Sequence, residues 1–432
     1  MLIGMSIGNY RSFNEVVTFS MAATNITSRN KTLDQQTVFE AAKLSLLTSA
    51  AIYGANASGK SNFISALRFI RDFVINSARS MQIDDPIKVE RFRLSTATID
   101  QPSFFELSFI IEPTQYRYGF EVTPQAVVSE WLYHSQNDAE TLVFEREGEQ
   151  IELAEPFKEF HQLRQFTRNN ALFLSVIAQF NGEIAKTILK WFTQLQIDLS
   201  INDRQGRTNV LGQFEQSDDQ AAIIHFVKAL DVGIADIQVE RIVEDLNPDD
   251  YPVSQTKPPT GSTIIVRHSR TTYSKLKTLH EQFDANGNLV GVEDFDIETH
   301  ESDGTKKLLA LAFPIVQALK HGYILVIDEL DARIHPLITW EIIKLFNTAA
   351  SNPHHAQLIF TTHDTNLLSH DLFRRDQIWF TEKTRHGATK LYSLVEYKVG
   401  NTGSLEKNYI EGRYGAIPFL GDIAGIMGAP DE

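Results

Sequence analysis

The sequence predicts an α/β fold that carries an antiparallel β lobe and a helical insertion, and three features support this. A short apolar segment, Leu46–Tyr53, runs into a glycine-rich loop, after which Phe63, Ile64, Leu67, Ile70, Phe73 and Val74 recur at helical spacing. Residues 103–153 alternate and are rich in β-branched and aromatic side chains, as in Phe105-Glu106-Leu107-Ser108-Phe109. From 302 the pattern becomes helix, strand, helix, strand, through Lys306–Lys320, Tyr323–Ile327, Leu337–Thr348 and Gln357–Thr361. That alternation calls for a parallel sheet.

Taken from the N-terminus, Ile3, Ile7, Val16, Val17 and Phe19 read as a pair of strands around the polar turn Asn9-Tyr10-Arg11-Ser12. The segment before the glycine loop is a strand and the segment after it a helix. Within 103–153 the turns fall near Pro113 and Pro124. Residues 155–231 read as helical, with Ile184, Ile188, Trp191, Phe192 and Leu195 forming one stripe, an ordinary core face. A polar loop or hairpin follows over 245–262, containing Asp249-Asp250, Pro258-Pro259 and Gly261, and then strand-like Ile264-Ile265-Val266. Pro336 opens the helix at 337–348. Strands at Ile378–Phe380 and Leu391–Leu394 complete the same sheet. No fixed-period repeat or long heptad region occurs, which argues against coiled-coil arms.

Composition narrows the functional classes. With 432 residues, 42% hydrophobic and 22% charged, the chain buries one large core or two medium ones. The net charge of −15 weighs against a protein living on nonspecific phosphate contacts. Its local basic clusters (Arg68, Arg71, Arg91 and Arg93; Arg164 and Arg168; Arg374 and Arg375) read as solvated faces. Nucleic acid is therefore a partner the sequence allows but does not require. The absence of cysteine excludes disulfides, thiolate chemistry and cysteine-based zinc sites. The longest apolar run, around Leu308–Leu319, is interrupted by Pro314 and preceded by Lys306 and Lys307, so no membrane span is expected. Met1–Met5 lacks the basic-then-apolar pattern of a secretory signal, and a cytoplasmic location is the simplest reading.

Four motifs carry chemistry. Gly54-Ala55-Asn56-Ala57-Ser58-Gly59-Lys60-Ser61 is a full match to G-x-x-x-x-G-K-[ST]. Glycines let backbone N–H groups close around phosphate oxygens, and the positive end of the following helix adds to them. Lys60 places a point charge on the β- and γ-phosphates of ATP, and the Ser61 hydroxyl ligates Mg²⁺. Chance produces such a match in about one or two per cent of chains this long, so the loop is read as functional.

Second, Tyr323–Ile327 is short and apolar enough for a buried parallel strand, and Asp328-Glu329 stands at its C-terminal end, where α/β sheets place ligands. Asp328 is suited to hold Mg²⁺ or its water shell, and Glu329 to orient and polarise an attacking water. Alone, the pair reads equally as exposed loop acids; beside the glycine loop it reads as a catalytic pair. Third, Thr361-Thr362-His363-Asp364 follows the strand Gln357–Phe360, which places His363 to hydrogen-bond the γ-phosphate or the attacking water. Fourth, Ser302 and Gly304, within Glu301-Ser302-Asp303-Gly304-Thr305, read first as a helix N-cap and second as another phosphate-facing helix terminus. Since the glycine loop already occupies the phosphates of its own subunit, the latter is expected to face the nucleotide of a second subunit.

Together the motifs resemble an ABC-type head of the SMC/RecF/OLD class within the P-loop NTPases. Gly54–Ser61 matches the Walker A motif, Ser302-Asp303-Gly304 the signature, Asp328-Glu329 Walker B, Leu330-Asp331 the D-loop and His363 the switch histidine. The resemblance implies a head in two parts. Residues 1–154 would carry Walker A and the β lobe, 155–231 the helical insertion, and 232–432 the signature, Walker B and switch histidine. The double glycine of transporter signatures is missing, and the Q-loop glutamine has two candidates, Gln101 and Gln115.

Three stretches resemble a narrower group, the compact ATPases typified by RloA and the AbiL-like abortive-infection proteins, with relatives in the PARIS anti-phage system. They are Ile7–Phe13, Ile327–Leu330 running on to Ile334-His335-Pro336, and Glu411–Pro418. That resemblance implies an ATP-hydrolysing homodimer, or higher homo-oligomer, with ATP and Mg²⁺ sandwiched between copies. Asp331 would join the Walker A residues, Ser302 and Gly304 around the nucleotide. It also implies a separate effector protein encoded nearby, commonly a TOPRIM nuclease. Only 69 residues follow His363, too few for a fused nuclease domain. Asp294-Phe295-Asp296 has a nuclease-like spelling but reads as a solvated loop. Two other functions share these motifs: a RecF- or SMC-like DNA-repair ATPase, and a scaffold that binds ATP with little turnover.

Overall fold

Period-two alternation at the N-terminus and over 103–153 gives, in the computed structural model, one seven-stranded antiparallel sheet. The structure describes residues 1–28, 30–135, 139–155, 157–198, 214, 218–230, 233–245, 270–368, 372–397 and 404–418. The polar excursion expected at 245–262 and the strand at 264–266 lie, but for residue 245, outside them. The chain divides into two units, Met1–Ser200 with Gln317–Glu432, and Ile201–Val316.

In the first unit, β1 (Leu2–Gly8) and β2 (Val17–Ser20) pair around the Asn9–Ser12 turn, as the sequence predicts. A small hairpin, β3 (Val38–Ala41) and β4 (Leu44–Leu47), precedes β5 (Ser49–Tyr53), which is buried along its whole length. Strands β6 (Ser103–Ile111), β7 (Thr114–Val122), β8 (Val127–Ser135), β9 (Glu140–Glu147) and β10 (Gln150–Leu153) form a meander. It joins the first pair in the order β10-β9-β8-β7-β6-β1-β2. Turns fall at Glu112-Pro113 and after Val122, near the two prolines.

Helix α2 (Lys60–Asn76) packs against this sheet, α1 being Lys31–Thr37. Its Phe63, Ile64, Leu67, Ile70, Phe73 and Val74 are buried in one core with Phe105, Phe109 and Phe120 of the sheet. Burying each such side chain contributes about 1.5–3 kcal/mol, so packing rather than helix propensity fixes α2. Helices α3 (Phe173–Gln179) and α4 (Glu183–Gln194) belong to the same core, with Ile188, Trp191 and Phe192 facing it. Leu195 does not extend the helical stripe. It begins β11 (Leu195–Asp198), a strand paired parallel to Ile324–Ile327, because that pairing satisfies its backbone and buries Leu195 and Ile197.

The second unit contains β12 (Asp236–Asp245), β13 (Arg270–Phe283) and β14 (Leu289–Asp296) in one antiparallel sheet. Ile237 joins Ile223 and Val227 of the helix Gln220–Ala229, together with Leu309, Ala312 and Val316, in a separate core. Asp294-Phe295-Asp296 is thus not a loop but the end of β14. Asp294 pairs with Lys277 across the sheet, and Asp296 accepts from the N–H groups of Glu298 and Thr299 at a helix start. Each carboxylate thus has a structural partner.

The remaining strands of the first unit are β15 (Ile324–Ile327), β16 (Gln357–Thr361), β17 (Ile378–Lys383) and β18 (Thr389–Ser393). They build the predicted sheet in the order β11-β15-β16-β5-β17-β18, parallel except for β18. Gln357 ties it to the antiparallel sheet, accepting from the Leu2 N–H at 2.6 Å and donating to the Leu2 carbonyl at 3.0 Å. Arg374, read from sequence as part of a solvated face, is buried and paired with Asp34 and Asp376. Its carboxylate partners come from 340 residues away and from two residues on, which a view of nearby basic residues misses.

Candidate nucleotide site

Three adjacent parallel strands, β15, β16 and β5, end on the same edge of the sheet, and each runs directly into a motif. Asp328-Glu329 follows β15, Thr362-His363 follows β16, and Gly54–Ser61 follows β5. Strand C-termini in such sheets are where ligands bind, because the chain turns there expose backbone N–H groups and side chains together.

The glycine loop is shaped by conformations that most residues avoid. Gly59 adopts φ of 117° and Ala57 a left-handed φ of 59°. Neighbouring strands clasp it with two threonines that the sequence reading did not single out. Ser58 Oγ pairs with Thr381 Oγ1 at 2.7 Å, and Thr389 Oγ1 donates to the Ser58 carbonyl at 2.7 Å. The hydroxyl of Ser12, from the opening turn, lies 2.8 Å from Thr389 Oγ1 and accepts from Asn62 Nδ2 at 2.8 Å. A β-carbon on Gly59 would stand 2.3 Å from Thr389 Oγ1. Gly59→Ala therefore combines strain at positive φ with overlap, and is expected to destabilise the protein by about 2–5 kcal/mol. Denaturant unfolding beside the wild type checks this; a midpoint shift of less than about half that contradicts it.

Lys60 is 5% exposed, and its Nζ donates to the carbonyls of Gly54 and Ala55 at 2.8 and 3.1 Å. Burial lowers its pKa, while the negative charges of Asp328, Glu329 and Asp331 pull the other way. These four groups thus share one electrostatic environment. Asn56, Ala57 and Ser61 are exposed at the loop mouth, Ala55 is half-buried, and Gly54, Ser58 and Gly59 are buried.

On the opposite side Thr361 organises the acids. Its hydroxyl donates to Asp328 Oδ1 at 2.5 Å and accepts from the Glu329 N–H at 2.7 Å. Glu329 is exposed and held at φ of 51°, a conformation uncommon outside glycine and costing about 1–3 kcal/mol. Surrounding structure must impose it: the Leu330 N–H donates to the Thr361 carbonyl at 3.0 Å, closing the turn. Asp331 Oδ2 accepts from the His363 N–H at 3.3 Å, joining the candidate D-loop to the candidate switch. The sequence analysis gave Thr361 no role; its place at the end of the strand beside the acids was the available signal.

His363 is exposed, though neighbouring atoms partly desolvate its ring. That desolvation and then the charge of Lys60 lower its pKa, against the pull of Asp331, Glu329 and Asp328, so it is neutral at pH 7. Because the folded value lies below the unfolded 6.5, the unfolded chain takes up the proton first as pH falls. Stability is therefore expected to drop progressively below pH 6.5, and His363→Gln to show a shallower drop, in denaturant titrations at pH 7, 6 and 5. Equal slopes for the two proteins would contradict the depressed pKa.

Ser61 and Asp328 offer a hydroxyl and a carboxylate, hard oxygen donors of the kind Mg²⁺ takes while keeping several waters. Among the described residues no group of three or more His, Cys, Asp or Glu side chains forms a metal cage. Ser302 and Gly304 lie in the second unit, whereas every other candidate lies in the first. Ser302 Oγ accepts from the Thr305 N–H at 3.1 Å, the N-cap expected of the helix Asp303–His321. Of the two candidate Q-loop glutamines, Gln115 donates to the Ala42 carbonyl at 2.8 Å, and the Gln101 carbonyl accepts from Asn9 Nδ2 at 2.8 Å. Among the described residues no helix is long and apolar enough to cross a membrane.

The family described as "AAA domain, putative AbiEii toxin, Type IV TA system" matches residues 49–369, from the first residue of β5 to beyond His363. Among solved structures, the SMC head domain from Thermotoga maritima is similar at 12% identity and a TM-score of 0.38, over 91% of this chain and 98% of that one. No curated protein matches the sequence.

Proposed function

The chain belongs to the AAA-domain family whose description is a putative AbiEii toxin of a type IV toxin–antitoxin system, and from that premise we propose that it hydrolyses ATP and thereby controls a separate effector in anti-phage defence. The observation that carries the hydrolytic part is the convergence of three motifs at the ends of β15, β16 and β5, with Thr361 binding Asp328 to the backbone of Glu329.

In this reading Lys60 and the backbone N–H groups of the glycine loop bind the β- and γ-phosphates. Asp328 and Ser61 hold Mg²⁺, which neutralises phosphate charge when bound. Glu329 accepts a proton from the attacking water as the water's oxygen bonds to the γ-phosphorus and the ADP oxygen leaves. His363, neutral and beside Asp331, orients that water or hydrogen-bonds the γ-phosphate. Ser302 and Gly304 of a second copy cap the phosphates from the other side, so the working unit is a homodimer with ATP at its interface.

The defence role rests on the stretches Ile7–Phe13, Ile327–Pro336 and Glu411–Pro418, which resemble RloA, AbiL-like and PARIS-type proteins, and on the family description. Glu329→Gln tests the mechanism. It is expected to slow turnover by about 10²–10⁴-fold while trapping Mg²⁺–ATP and a dimer, seen by light scattering. A variant that hydrolyses at the wild-type rate contradicts it. Copurification with the product of the adjacent gene tests the defence role; tight DNA-stimulated hydrolysis with no such complex would overturn it.

A further inference from the structure

The segment Glu411–Pro418 stood out in the sequence, and the mechanism above gives it nothing to do. It follows a short helix, Leu405–Ile410, and the two fold against each other. The Tyr409 hydroxyl donates to the Ala416 carbonyl at 3.1 Å, and Asn408 Nδ2 donates to the Tyr414 hydroxyl at 3.1 Å. Gly415 takes a left-handed φ of 67°, and a β-carbon there would stand 2.8 Å from the Tyr392 hydroxyl, so the turn favours glycine. Tyr392 in turn donates to the Tyr414 carbonyl at 2.8 Å, fastening the segment to β18.

This folded unit holds both sides of the candidate site. On the glycine-loop side, the ring of Tyr409 meets Tyr53 edge to face at 5.8 Å and stacks on Phe380 at 5.4 Å. Tyr53 is fully buried and is the last residue before Gly54. On the switch side, Glu406 accepts from the Thr365 hydroxyl at 3.3 Å, two residues beyond His363. Tyr53 closes the connection, its hydroxyl donating to the Asp364 carbonyl at 3.2 Å. A helix of six residues thus touches the strand that delivers Lys60 and the turn that delivers His363.

We propose that the helix Leu405–Ile410 is a positioning element that sets His363 against the glycine loop for hydrolysis, with Glu406, acting through Thr365, and Tyr53, acting through Asp364, as its positioning residues. The inference rests on the ATPase reading. Aromatic packing alone would make Tyr53 and Tyr409 core residues, but it does not require a carboxylate to hold Thr365 or a phenol to hold the Asp364 carbonyl. Both polar contacts fall on the backbone turn that follows His363.

The test is steady-state ATP hydrolysis by the full chain, with kcat and KM measured separately for Tyr53→Phe, Thr365→Val, Glu406→Ala and Glu406→Gln. Tyr53→Phe and Glu406→Ala are expected to lower kcat by about 10- to 100-fold with KM and the unfolding midpoint within a factor or degree of the wild type, since small misplacement remote from the chemistry acts on the transition state. Thr365→Val should match Glu406→Ala, and Glu406→Gln, which keeps an acceptor oxygen, should restore most of the rate. Unchanged kcat in all four, or equal losses in kcat and stability, overturns the positioning role while leaving the ATPase reading intact. Absence of turnover in the wild type, which Glu329→Gln also reports, overturns both.

Discussion

Lys60→Ala is expected to abolish Mg²⁺-dependent ATP binding and to slow any remaining turnover by about 100- to 1000-fold. Lys60 is the buried cation of the site, and its amino group is held over the loop by the carbonyls of Gly54 and Ala55. Around it stand Asp328, Glu329 and Asp331, whose charges are felt at Lys60 and at His363 alike. Phosphate approaching such a site meets three carboxylates. Without Lys60 only loop N–H groups, the helix terminus and Mg²⁺ oppose that repulsion, and the Mg²⁺ itself depends on phosphate to complete its shell.

The variant should nevertheless fold. Removing Lys60 leaves the carbonyls of Gly54 and Ala55, buried and half-buried, without that donor, and this cost is opposed by relief of the desolvation that already depresses the lysine. Isothermal titration with Mg²⁺–ATP, alongside a thermal unfolding curve, separates lost binding from lost structure. A folded variant that binds ATP as the wild type does would remove the phosphate-binding role from this loop.

How much of this was legible in the sequence depends on how local each cause is. The glycine loop, the acids after Tyr323–Ile327 and the histidine after Gln357–Phe360 are readable because each motif sits within a few residues of its strand. Their assembly also follows, since parallel strands place their C-terminal ends on one edge. The role of Thr361 was not readable, because it depends on β16 lying beside β15, 33 residues away from Asp328 in the chain. Likewise β11 reads locally as the end of a helical stripe; only the free edge of β15 makes it a strand. Arg374 looked solvated because its partner Asp34 is distant in sequence, whereas Asp294 is exposed as read but stands in a strand, paired with Lys277. Polar side chains satisfied over long range are what a one-dimensional pattern hides.

The largest effect on stability is expected at such a pair, Glu130 with Arg146. Both side chains are buried, at 0% and 2% exposure, and their charged groups lie 3.8 Å apart. Burial raises the pKa of Glu130 and lowers that of Arg146, each partly offset by the other's charge. Further hydrogen bonds favour the charged form of Glu130 and satisfy the guanidinium of Arg146. Glu130 accepts from the N–H groups of Phe173 and Leu174 at 2.6 and 3.0 Å and from the Tyr118 hydroxyl at 2.9 Å. Arg146 donates to the carbonyls of Gly148 and Ala171 at 2.8 and 2.7 Å.

Glu130 thereby does for α3 what its own N-cap cannot, since Leu172 has no side-chain oxygen to offer the first N–H groups. Arg146→Met leaves a carboxylate buried among apolar side chains, and is expected to destabilise by about 3–5 kcal/mol. Glu130→Leu strands both the guanidinium and the N-terminus of α3, and should cost about as much. The double variant removes both charges, so its loss should be smaller than the sum of the two. Denaturant unfolding of the three variants measures that coupling; strict additivity would mean that the two groups act separately and that the buried pair is not a unit.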